Sequence, residues 1–201
     1  MFGASYWRSC GPFWRRTNSI RRRQAPIVDV RERGFAVWIT GLPASGKSTV
    51  ASALAAKLRA RGLDVEVLES DALRRIFTPH PRYDEAERDA FYGQIAYLGA
   101  LLARHGIGVI FDATANRCAY RDRARQQIPH FLEVYVDTPL EVCRSRDPKG
   151  IYREGREVPG LQAAYEPPLN PDLVIHGGRE LPDVSAHRIV ATLIGSGAIS
   201  A

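Results

Sequence analysis

The sequence predicts an α/β fold, a parallel five-stranded sheet with helices on both faces and a lid segment. Three observations carry that expectation. From residue 34 onward, short apolar runs alternate with helical stretches, the pattern of a parallel sheet wrapped in helices. The first apolar run, FAVWIT (35–40), enters a small glycine-rich loop that opens straight into a helical pattern. Residues 147–171, DPKGIYREGREVPGLQAAYEPPLNP, are rich in glycine, proline and charge and too long for an ordinary connection, which marks a lid or binding segment.

FAVWIT is continuously apolar, as a strand buried on both faces must be. In the helix that follows, Val50, Leu54 and Leu58 recur at four-residue spacing and Gly62 supplies the stop. DVEVLES (64–70) reads as a second strand. Residues 84–106 form the longest helical stretch, with acids at the start and Arg104 and His105 at the end, matching the helix dipole. GVIFDAT (108–114) is the third strand, a short helix falls near 120–128, FLEVYVDT (131–138) is the fourth strand, and PLEVCRSR (139–146) is a helix with Pro139 in its first turn. DLVIHGG (172–178) is the fifth strand, and a closing helix covers 182–194.

With 201 residues, one domain with appendages is expected. The formal charge of +6 resides in an arm: residues 1–28 contain six arginines and no acid, and removing them leaves 22 basic against 22 acidic side chains. The arm has no helical or alternating apolar period and reads as poorly ordered. The chain therefore divides into a basic arm (1–33) and a catalytic domain (34–201, with the lid at about 147–171). An organelle presequence and a contact with acidic partners are the functional readings of the arm; a solvated tail is the plain one, and nucleic acid is not the expected partner. No apolar run approaches the roughly 18 to 20 residues of a membrane-spanning helix, so a soluble, cytoplasmic protein is expected. Cys10, Cys118 and Cys143 are too widely spaced for a paired metal or redox motif and point to a reducing compartment.

Residues 41–48, GLPASGKS, fit G-x-x-x-x-G-K-[ST] without a mismatch, with a buried strand before and a helix after. The glycines let the backbone curl so that successive N–H groups and the positive helix end face phosphate oxygens. Gly41, Leu42, Pro43, Ala44, Ser45, Gly46, Lys47, Ser48 and Thr49 are thus the candidate residues for holding ATP. Lys47 reaches the β- and γ-phosphates, and the Ser48 hydroxyl is the candidate ligand of Mg²⁺. The guanine-reading N-K-x-D tetrad of GTPases is absent from the sequence. A compact domain with a lid suits transfer of the γ-phosphoryl to a small acceptor, on the P-loop NTPase fold.

Over roughly residues 34–178 the chain resembles the adenylylsulfate kinases, which phosphorylate the ribose 3′-hydroxyl of adenosine 5′-phosphosulfate. The carriers are GLPASGKST, LESDALRR, ERDAFY, FLEVYVDTPLEVCRSRDPKGIY and AYEPP; the long fourth run is the most specific. The resemblance implies that Asp71 lies by the acceptor hydroxyl, that Arg74 and Arg88 bind the acceptor nucleotide, and that Lys149, in DPKG, works near the phosphates. A carboxylate to orient the hydroxyl and cations over spreading charge suit phosphoryl transfer. Asp71 also suits a helix N-cap after the second strand. Asp112 ends an apolar strand, where it can hold a Mg²⁺-bound water, share the base role with Asp71, or cap the next turn. The family also admits a homodimer.

The departures fall on the acceptor side. Glu69 and Ser70 replace the family's Asp-Gly, Phe91 replaces an asparagine, and DATAN (112–116) replaces S-x-x-S-P, which sets Asp112 near the first serine and Ala115 near the second. The aromatic that the family stacks on the acceptor adenine has no clear counterpart in VPGLQAAYE (158–166). Besides an adenylylsulfate kinase, the sequence therefore admits a related kinase with another nucleotide or small-molecule acceptor, a nucleotide-dependent regulator without turnover, and a nucleic-acid binder resting on the arm alone.

Overall fold

The computed structural model describes residues 34–154 and 157–201. The arm expected over 1–33 lies outside the described residues. Five strands, β1 (Ala36–Thr40), β2 (Val65–Glu69), β3 (Gly108–Asp112), β4 (Phe131–Asp137) and β5 (Leu173–His176), form one parallel sheet in the order β2-β3-β1-β4-β5. Helices α1 (Lys47–Ala60), α2 (Ser70–Phe77), α3 (Glu85–Arg104), α4 (Cys118–Arg125), α5 (Leu140–Arg146), α6 (Ile151–Glu154) and α7 (Pro182–Gly195) complete the described domain.

All five residues of β1 and all five of β3 are buried, because these inner strands are covered on both faces. The side-chain alternation of β1 sorts the core into two layers. Val37 and Ile39 join Val50, Leu54 and Leu58 of α1 and Ile189 and Leu193 of α7 on one face. Ala36 and Trp38 join Phe91, Ile95 and Ala100 of α3 and Tyr120 and Ala124 of α4 on the other. Trp38 stacks on Phe111 with ring centroids 4.4 Å apart, and its indole N–H donates to the Ala113 carbonyl at 3.1 Å. That bond anchors the chain where it leaves β3.

Register brings the functional ends together. Ile39 pairs with Asp112 across β1 and β3, and Glu69 pairs with Asp112 across β2 and β3. The carboxyl ends of β1, β2 and β3 thus lie side by side, where open parallel sheets bind ligands.

Four local features differ from the sequence reading. Residues 70–77 form α2, for which the sequence shows no long apolar period. The expected lid contains one helical turn, α6. The helix near 120–128 begins earlier, at Cys118, and Pro139 stands one residue before α5 as its N-cap rather than inside its first turn.

Gly99 of α3 packs directly against Phe111 of β3. A Cβ built there would lie 2.1 Å from Phe111 Cζ, and that ring is held against Trp38. Gly99→Ala gains helix propensity worth up to about 1 kcal/mol but overpacks by about 1–3 kcal/mol, so a net destabilisation of about 1 kcal/mol is expected from urea unfolding midpoints.

Candidate active site

The loop between β1 and α1 turns on Gly46, the N-cap of α1, at φ 105°. A side chain there would be strained. The cap makes no side-chain hydrogen bond, and the first turn holds no acid. The amides of Gly46, Lys47, Ser48 and Thr49 are therefore left without intrahelical partners at the positive end of a fourteen-residue helix. Such an end takes an anion.

Lys47 is buried under this loop, its ammonium donating to the carbonyls of Gly41 at 3.2 Å and Leu42 at 2.8 Å. Burial pushes its pKa down to about 8, although the carboxylates of Asp112 and Asp71 pull it upward. Asp112, 5% exposed, sits beside the Ser48 hydroxyl. Burial raises its carboxyl above the usual range, against the pull of Ser48 and Lys47. No backbone amide of the following turn bonds Asp112 among the described residues, so the turn-capping reading is set aside. A hydroxyl and a carboxylate side by side are hard oxygen donors, the set that fits Mg²⁺.

A cleft of about 690 Å³ opens over this loop. Pro43, Ala44, Gly46, Lys47, Ser48 and Thr49 line it, and so do Asp71, Arg74, Arg88, Asp112 and Lys149. All the expected catalytic and acceptor-side residues thus share one cavity. Gly41, Leu42 and Ser45 do not line it. Gly41 packs against Val136, the Ser45 amide donates to the Leu42 carbonyl at 3.1 Å, and the Ser45 carbonyl accepts from Thr138 at 2.9 Å. Their work is to shape the loop.

Asp71 is the second residue of α2; its N-cap is Glu69, so the capping reading fails. Its half-exposed carboxylate instead accepts from Lys149 of the lid at 2.7 Å, with Glu69 a further 3.8 Å partner of the same ammonium. Both are exposed pairs, held weakly and easily exchanged.

Arg74 pairs with Glu87 at 3.0 Å, with both side chains about nine-tenths buried, and its guanidinium lies 4.0 Å over the Phe91 ring and 5.1 Å from that of Tyr83. The phenylalanine that departs from the family pattern is thus the platform of Arg74. Arg88 is 8% exposed and donates to the carbonyls of Tyr83 at 2.8 Å and Glu157 at 2.7 Å and, at 3.5 Å, to Asn116 Oδ1. It has no carboxylate partner among the described residues. Tyr83 and Glu157 both occupy the left-handed region, at φ 61° and 55°. Strained backbone is thus spent on aiming carbonyls at Arg88.

The sequence singled out neither Glu87, Tyr83, Asn116 nor Glu157. Glu87 carries a usable signal, since an acid one residue before Arg88 at a helix start faces back across the preceding turn. The others act through backbone oxygens or a side-chain amide and leave no pattern. Tyr165 of AYEPP lies away from the cleft, its hydroxyl 3.1 Å from Thr40 Oγ1 and its ring stacked toward Tyr135. Val158 and Pro159 line the cleft where the family's lid aromatic is absent.

Residues 33–176 match the family model described as adenylylsulphate kinase. The chain belongs to the adenylylsulphate kinase family. An adenylyl-sulfate kinase of Synechococcus sp. (strain JA-3-3Ab) is 42% identical over 147 residues, 71% of this chain and 84% of that protein. The adenylyl-sulfate kinase of Gloeothece citriformis (strain PCC 7424) is 37% identical over 169 residues, 82% of this chain and 96% of that one. Among solved structures, the Mycobacterium tuberculosis APS kinase CysC in complex with AMPPNP and APS superposes with a TM-score of 0.75 at 34% identity, covering 80% of this chain and 98% of that one. The parallel α/β kinase fold read from the sequence is thereby borne out. No described helix is long and apolar enough to cross a membrane.

The buried Lys47 gives this adenylylsulphate kinase a pH signature. Its proton is held less firmly when folded, near pH 8 against 10.5, so below pH 8 the chain bears the full cost of burying the charge and stability rises as pH climbs from 8 to 10.5. Lys47→Met should stabilise the nucleotide-free chain by about 1–3 kcal/mol at pH 7, a gain that shrinks across that window in thermal or urea unfolding.

Proposed function

We propose that this kinase transfers the γ-phosphoryl of ATP to the 3′-hydroxyl of adenylyl sulfate, yielding 3′-phosphoadenylyl sulfate and ADP, a step of sulfate assimilation. The observation that carries the reading is Arg88. A buried guanidinium that meets only neutral oxygens among the described residues, in the same cavity as Arg74 and the phosphate loop, calls for an anionic acceptor. Family membership supplies the acceptor's identity.

In this reading the amides of Gly46 to Thr49 hold the triphosphate, and Lys47 exchanges the Gly41 and Leu42 carbonyls for the β- and γ-phosphate oxygens. Ser48 and Asp112 would hold Mg²⁺, which when bound would supply charge neutralisation to the phosphates. Arg74 and Arg88 anchor the acceptor. Asp71 releases Lys149, orients the acceptor hydroxyl and takes its proton as the oxygen attacks phosphorus. The freed Lys149 ammonium is then available to the charge spreading over the transferred phosphoryl. Among the described residues Cys118 and Cys143 form no disulfide, which suits a reducing, cytoplasmic setting.

A second reading, a different nucleotide or small-molecule acceptor, is favoured by Phe91, which puts a ring under Arg74 where the family has a hydrogen-bonding amide. The two are separated by ADP release at fixed MgATP across adenylyl sulfate, other nucleotides and small alcohols. Activity confined to adenylyl sulfate is expected, and turnover of another acceptor with no response to adenylyl sulfate selects the second reading. The assignment of catalysis to residues 34–201 predicts that a chain lacking residues 1–28 keeps its kcat within about two-fold, a change well under the 1.4 kcal/mol of a tenfold effect.

Asp71→Asn should lower kcat by about 10²- to 10⁴-fold, the usual size of a general-base contribution, and leave the KM for ATP within a few-fold. A collapse of ATP binding in that variant would place Asp71 on the donor side. Lys47→Met should lower kcat by about 10³-fold, since its charge is needed chiefly in the transition state.

A further inference from the structure

Behind the acceptor end of the cleft lies a buried ion pair that the phosphoryl-transfer chemistry does not use. Arg121 of α4 is 1% exposed, and its Nε donates to Glu133 Oε1 of β4 at 2.6 Å. The remaining donors are spread over two separate segments. One Nη bonds the Ala115 carbonyl in the loop after β3, and the other bonds the Glu166 carbonyl of AYEPP at 2.9 Å and Cys118 Sγ at 3.0 Å. Glu133 is itself held from the other side by Arg125 at 3.0 Å, and its amide donates to Asp172 at 2.7 Å. The pair is therefore fixed to β4 and to the approach to β5.

The two segments that Arg121 grips meet at Asn116. The Glu166 amide donates to the Asn116 carbonyl at 2.8 Å, and Asn116 Nδ2 donates to the Ala164 carbonyl at 3.0 Å. That leaves Asn116 Oδ1 facing Arg88. Ala115, gripped by Arg121, occupies the left-handed region at φ 41°, a conformation that an alanine holds only when its surroundings over-determine it. Its amide donates to the Tyr92 hydroxyl at 3.0 Å, so both ends of the strained residue are fastened.

We propose that Arg121, paired with Glu133, is a positioning residue for acceptor binding: it clamps the Ala115–Asn116 turn to the 164–166 strap and so sets the oxygen that orients Arg88. It touches neither ATP nor the acceptor. The inference rests on the reading of Arg88 as an acceptor anchor. Removing Arg121 alone leaves the buried Glu133 leaning on the partly exposed Arg125, a loss of stability that would mask any subtler effect. The informative variant is R121M/E133L, in which a buried ion pair becomes an apolar contact of similar bulk, a replacement that proteins often accept without loss.

Two readouts decide it. In hydrogen exchange of the full chain, the amide of Glu166 should exchange at least ten-fold faster in R121M/E133L, while core amides of β1 and β3 keep their protection. In steady-state kinetics, the KM for adenylyl sulfate should rise at least ten-fold, with the KM for ATP and the kcat within about three-fold. Unchanged exchange at Glu166 overturns the clamp whatever the acceptor is, and an unchanged acceptor KM in a folded variant overturns its link to Arg88. A wild-type chain inactive on adenylyl sulfate refutes the proposed acceptor instead, and the exchange result still decides the clamp. Should the double variant fail to fold, Asn116→Ala carries the same kinetic expectation, and a wild-type acceptor KM there also refutes the proposal.

Discussion

The left-handed turn at Gly46 is the constraint on which the site depends. It follows a strand buried on both faces and starts a helix with no acid in its first turn and no side-chain cap, so four amides emerge together with no partner among the described residues. Ordinary helices cover that end with serine or aspartate, gaining about 1 kcal/mol. Here that stabilisation is forgone, and the buried Lys47 adds a second cost beneath the same turn. Both are recovered when an anion arrives, which makes the loop a phosphate site before any other residue is considered.

The charges around the loop are arranged by how firmly each is held. Arg74 and Arg88 are buried and braced, one by Glu87 and an aromatic platform, the other by strained carbonyls. Rigid cations of that kind give orientation, since their side-chain entropy is already lost before the acceptor binds. Asp71 and Lys149 are half exposed and satisfy one another across the cleft. An exposed pair contributes at most about 1 kcal/mol, so each partner is free to turn to the reacting groups. In the proposed reading the acceptor's anchors are buried and the pair that serves its hydroxyl is exposed, while Lys47 and Asp112 on the donor side are buried as well.

How much of this was legible in the sequence depends on how local the cause is. The five strands, the long helix and the phosphate loop follow from apolar runs, helical spacing and an eight-residue motif, all of which act within a few residues. Asp71, Arg74, Arg88 and Lys149 were readable because the family pattern marks them, and all four line one cavity with Lys47 and Asp112. Helix α2 was missed because a short amphipathic turn without a buried residue carries no strong period. The Asp71 cap was misplaced because α2 starts two residues earlier than a capping Asp71 requires, with Glu69 as its N-cap; cap positions depend on backbone angles that residue type alone does not determine.

Three of the contacts that stayed hidden share one character: they are bonds from a side chain to a backbone oxygen far away in sequence. Arg88 to Glu157 spans 69 residues, Asn116 to Ala164 spans 48, and Arg121 to Glu166 spans 45. A carbonyl is available on every residue, so no residue type announces such an acceptor. This also explains how the acceptor side can depart from its family at Glu69, Ser70, Phe91 and DATAN and still assemble a cleft. The braces run through the main chain, which substitution leaves in place, and the side chains facing the acceptor are free to change. The donor side has less latitude in the proposed reading, because there Gly46, Lys47 and Ser48 of the loop line the cleft themselves.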